Sequence, residues 1–86
     1  MGSQDLQELV RARHREEAEN LKKSIEGWKH HISVTEKLLE DSTRMFEKYG
    51  DETSKRFMES DAENLAFARK LLAEDMKLLD AFEVSL

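Results

Sequence analysis

The chain has 86 residues, 38% of them charged, with no proline, no cysteine and a formal net charge of −5. That length admits one domain, the missing cysteines exclude disulfides and thiolate metal sites, and dense charge without proline suits long solvated helices rather than a mixed fold. The acidic balance argues against nucleic acid or an anionic membrane as the default partner. With no signal-peptide pattern and no apolar run of membrane-spanning length, a cytoplasmic location is the expectation.

In chain order, Met1-Gly2-Ser3 reads as a tag remnant, and Gly2 is not a myristoylation site because Leu6 stands where Ser or Thr is needed. The spacing then predicts a helix over residues 4–49. Asp5 with Glu8 has the spacing of a capping box, and both acids suit a helix start. Ala18, Leu21, Ile25, Trp28, Ile32, Thr35, Leu39, Ser42, Phe46 and Tyr49 recur at alternating steps of three and four, the pattern of one helix packing lengthwise on another. Arg44 and Lys48 suit the negative helix end, and Gly50 is the preferred residue just beyond it. Asp51 and Glu52 supply a cap and an acidic first turn for a second helix over residues 52–83. Its stripe reads Met58, Ala62, Leu65, Ala68, Leu72, Met76, Leu79, Phe82 or Glu83, and Leu86.

The predicted fold is therefore all-α, a long coiled-coil-like antiparallel hairpin turning at residues 50–51. Its core comprises Leu21, Ile25, Trp28, Ile32, Leu39, Phe46, Met58, Leu65, Leu72, Met76 and Leu79. Ser33 with Glu36, and Ser60 with Glu63, also have capping-box spacing and would divide the chain into residues 4–31, 34–59 and 61–83, a three-helix bundle. Against this, neither site offers Gly, Pro or Asn for a reversal, and the first stripe passes Ser33 in phase. The hairpin register sets Trp28 near Leu72, Ala73 and Met76. It also sets Arg15, Lys22, Lys23 and Lys29 against Glu74, Asp75, Asp80 and Glu83.

Two helices bury one seam, and apolar residues are left over. Leu6, Leu9 and Val10 lie where the first helix overshoots the second. Val34, Leu38 and Met45 edge the first helix, and Phe57, Phe67, Leu71, Leu78 and Ala81 edge the second. A fully buried Leu or Phe is worth about 1.5–3 kcal/mol, so these residues favour further helices, from a second copy or another helical protein. Leu6, Leu9, Val10, Phe67, Leu71 and Leu78 are the expected interface, and dimerisation would complete a four-helix bundle.

No chemistry-bearing motif stands out, and no catalytic, cofactor or metal residues are expected. Glu26 and His30 share a helix face but lack further ligands. Glu16, Glu17 and Glu19 depart from the Glu-Glu-x-x-Glu of all-α nucleotide pyrophosphatases, because Asn20 takes the last place. The turn, Tyr49-Gly50, lacks the Trp-x-Gly of small helical-hairpin secretion proteins, so no family resemblance is drawn. Arg11, Arg13, His14, Arg15, Lys22 and Lys23 form one basic concentration, interrupted by Glu16, Glu17 and Glu19. Val84-Ser85-Leu86 fits the loose pattern of some PDZ ligands, but Leu86 equally continues the second stripe. The expected function is a non-enzymatic protein–protein assembly module. The alternatives are a small regulatory, inhibitory or co-chaperone protein that occludes a larger target, and a nucleic-acid binder using residues 11–23.

Overall fold

The computed structural model describes residues 2–85, with side chains over residues 4–84. It contains two helices, α1 (Gly2–Tyr49) and α2 (Glu52–Ser85), lying antiparallel over Cα extents of 71 × 16 × 14 Å. Both helices run unbroken through Ser33 and Ser60, so the three-helix alternative is set aside. The reason is local: a serine hydroxyl can cap a helix, but without a glycine or proline nearby the backbone has no cause to leave it. Asp5 lies within the first turn of α1, where it favours the positive helix end without capping it.

The reversal is built by three residues. Gly50 adopts φ 64°, a left-handed conformation that suits glycine. Its N–H donates to the Phe46 carbonyl at 2.7 Å, closing α1 with a single bond back. Asp51 then starts α2, its carbonyl accepting from the Lys55 N–H at 3.1 Å. Hydrogen bonding from the Ser54 side chain, with further backbone hydrogen bonds, holds the Asp51 carboxyl below its ordinary pKa. An ionised carboxylate at that position also suits the helix N-terminus.

From there the helices pack as a heptad seam. On α1 the buried or half-buried positions are His14, Ala18, Leu21, Ile25, Trp28, Ile32, Thr35, Leu39, Ser42 and Phe46, with half-buried Thr43 just beside the seam. On α2 the same spacing selects Ser54, Met58, Asp61, Leu65, Ala68, Leu72, Asp75, Leu79 and Phe82. A buried apolar cluster joins Ile32, Leu65 and Ala68, with Trp28, Leu39 and Leu72 packed around it. His14 meets Phe82 edge-on at 5.6 Å at the far end.

Three expectations need correction. Met76 is 49% exposed and Ala62 is exposed, while Asp61 and Asp75 take the seam positions one residue earlier. A strict heptad demands those positions, and serines of α1 make the aspartates tolerable there. Ser42 Oγ lies 2.9 Å from Asp61, and Ser24 donates to Asp75 at 2.7 Å. Trp28 is half-buried, edge-on to His31 at 5.8 Å, and Ala73 is exposed. Tyr49 is exposed: it is the last residue of α1, and the buried positions of α2 start only at Ser54. The expected place of Leu86 lies outside the described residues.

Polar groups inside the seam are satisfied. Thr35 donates to the His31 carbonyl at 2.8 Å, and no buried side-chain N or O among the described residues lacks a partner. Of the expected cross-helix charges, Lys22 reaches Glu83 at 3.9 Å, whereas Lys29 turns to Glu26 of its own helix at 3.5 Å. Arg69 to Glu36, at 3.2 Å, is a second interhelical pair. All are exposed and contribute only a few tenths of a kcal/mol, roughly, so they act mainly to set register.

Candidate interaction surface

Successive helix residues point about 100° apart, so the residues just before and just after each seam residue flank the seam on opposite sides. In an antiparallel pair, the preceding residues of both helices fall on the same side of the hairpin. The following residues share the other side.

The two sides differ in chemistry. The following residues include Arg15, Lys22, Glu26, Lys29, Glu36, Lys55, Arg69, Asp80 and Glu83, with Met76 among them. The Lys22–Glu83 and Arg69–Glu36 interhelical ion pairs lie here. A shallow groove on this side is lined by Ile25, Met76 and Leu79 together with Lys22, Glu26, Lys29 and Asp80. The preceding residues include Val34, Leu38 and Met45 of α1, and Phe57, Phe67, Leu71, Leu78 and Ala81 of α2. All of these are exposed except half-buried Leu71. Near the turn, Leu38, Met45 and Phe57 wall a groove whose floor is Ser42, Ser54 and Asp61.

Helix α1 has 48 residues and α2 has 34, so the N-terminal part of α1 projects past its partner. Along this overhang the seam line continues as Gln7 and Arg11, both polar. Leu6 and Val10 instead precede those positions, and Leu9 lies beside them; all three are exposed. The apolar part of the overhang thus shares the apolar side of the hairpin.

The expected interface residues therefore gather on one side of the molecule, with Leu9 at its margin. Phe57, Leu38, Met45 and Val34, apolar edges outside the expected interface, share this side. The signal that unites the two edges is positional: each apolar residue directly precedes a seam residue.

Other candidate groups are dispersed. The basic residues from Arg11 to Lys23 are distributed around α1: Arg15 and Lys22 on the charged side, Arg13 on the apolar side, Lys23 outward. Among the described residues, no group of three or more His, Cys, Asp or Glu is placed to share a metal ion. Glu26, paired with Lys29 at 3.5 Å, is not drawn to His30. No helix among the described residues is long and apolar enough to cross a membrane. Comparison with protein families, with curated proteins and with solved structures found no match.

Proposed function

We propose that the chain is a non-enzymatic assembly module that buries its apolar side against further helices, and that its working form is a homodimer closing a four-helix bundle. The observation that carries this reading is the segregation of exposed apolar side chains. Val34, Leu38, Met45, Phe57, Phe67 and Leu78 lie on one side, with Leu6 and Val10 continuing the line. Exposed apolar residues are ordinary when scattered, whereas their concentration on one side of a hairpin favours an interaction site. Each of these eight side chains is already about half covered by the hairpin, so burying the remainder gains about half of the 1.5–3 kcal/mol of full burial, a sum of the same order as the association cost of about 4–15 kcal/mol.

The basic residues support a nucleic-acid role less well, because phosphate tracking needs cations gathered on one side. Sedimentation tests the proposal. The wild type should show a concentration-dependent mass, and Leu71→Glu with Leu78→Glu should hold it at one chain. Met76→Glu, on the charged side, should leave association intact. A wild type that stays monomeric at high micromolar concentration and binds no helical protein would refute the reading.

A further inference from the structure

We infer that the apolar overhang of α1 docks into the turn-proximal groove of a second, antiparallel copy, with the two-fold axis passing beside Gly27. This rests on the assembly reading and specifies its geometry.

Four observations converge on this register. The first is length: Val10 and Met45 lie 17 and 18 residues from Gly27, so a two-fold at that level brings Val10 to Met45 of the second copy. Leu6 and Leu9 then extend over the turn end, where Phe57 is 61% exposed. The second is chemistry on the same line. Arg13 arrives opposite Asp41 of the second copy, and Asp41 also holds Arg44 at 2.8 Å within its own helix.

The third observation is Gly27 itself. A glycine inside a long helix is unfavourable, and a Cβ added here would meet nothing within 4 Å. Packing within the hairpin does not require it. On the apolar side, at the two-fold axis, it lets two α1 backbones approach closely.

The fourth is that α2 obeys the same axis independently. The hairpin register sets Gly27 level with Glu74, and a two-fold there pairs Leu71 with Leu78 and Phe67 with Ala81 of the second copy. Ser24 meets His31 of the second copy, a polar layer of the kind that fixes register. The layers at Glu17 and Asn20, against Leu38 and Val34, contribute least. Glu74 meets its own counterpart, flanked by Lys70 and Lys77, and is the one unfavourable contact on the axis. The long face, 71 by 16 Å between Cα extremes, offers on the order of 1,000 Å² per copy, above the roughly 800 Å² per partner of a standard specific interface.

The chain has no cysteine, so engineered thiols report contacts without background. Val10→Cys and Met45→Cys proteins, mixed and gently oxidised, should form a mixed disulfide dimer, while neither links to itself. Gly27→Cys alone should link to itself, since disulfides demand Cα atoms within about 7 Å. Reversing either charge, Arg13→Asp or Asp41→Arg, should weaken the dimer about two- to fivefold, and the double reversal should restore it. Glu74→Gln should tighten it. A dimeric mass with self-linked Val10→Cys, or without the mixed link, overturns this register and leaves the assembly module standing. A single-chain mass at every concentration, with a helical protein captured instead, overturns the second copy as occupant. A single-chain mass with no such capture overturns both.

Discussion

Asp61 and Asp75 are half-buried in the seam, each facing a serine of α1 across the helix pair. A sequence reading that prefers apolar residues steps past both to Ala62 and Met76, and so misplaces one flank of α2. The hydroxyl that makes each aspartate acceptable comes from the other helix, which single-helix periodicity does not reveal. The energetic consequence is testable by chemical denaturation. Leu65→Ala should cost about 2–5 kcal/mol, whereas Met76→Ala should change stability by no more than about 0.5 kcal/mol. Removing a partner hydroxyl with Ser42→Ala leaves the Asp61 carboxylate short of a hydrogen bond and should destabilise by about 1–3 kcal/mol. Asp51 supplies a pH dependence. Its carboxyl is held below the ordinary range, so its stabilising effect is complete above the unfolded-state value, about pH 4. It fades as pH falls through the lower folded-state value. Ser54→Ala removes the main hydrogen bond, and melting temperature followed against pH should then show a shallower loss over that acid range.

At the scale of the helix, most of the fold was legible. Stripe phase, Gly50 and Asp51 all agree on the reversal, because a tight turn between long helices needs a left-handed residue followed by a cap. The positive φ of Gly50 makes this specific: Gly50→Ala should destabilise the hairpin by about 1–2 kcal/mol, measured by thermal or urea unfolding. Ser33 and Ser60 show the limit of local signals, since capping-box spacing recurs by chance along a polar helix. The overhang behaves as an element of its own. Its described side chains, residues 4–13, are all exposed, so deleting residues 1–10 should leave the melting temperature of the dilute monomer nearly unchanged. The same deletion should weaken self-association, which separates the overhang's role between chains from any role within one.

Over the whole molecule, the sequence showed that apolar residues were in surplus but not that they share a side. Leu38 and Phe57 belong to different helices, and only the antiparallel register brings them to one groove. The same register gathers Lys22, Glu83, Glu36 and Arg69 on the opposite side, where ion pairs discourage further packing. Small-angle scattering over a concentration series reads mass and length together, and so tests assembly through the apolar side most directly. A side-by-side antiparallel dimer should show twice the 10.1 kDa chain mass. Its longest dimension should stay within about 10 Å of the 71 Å hairpin, since helices rise about 1.5 Å per residue and the two copies are offset by only a few residues. A particle of one chain's mass at every concentration, or a dimer approaching twice the hairpin's length, would contradict it.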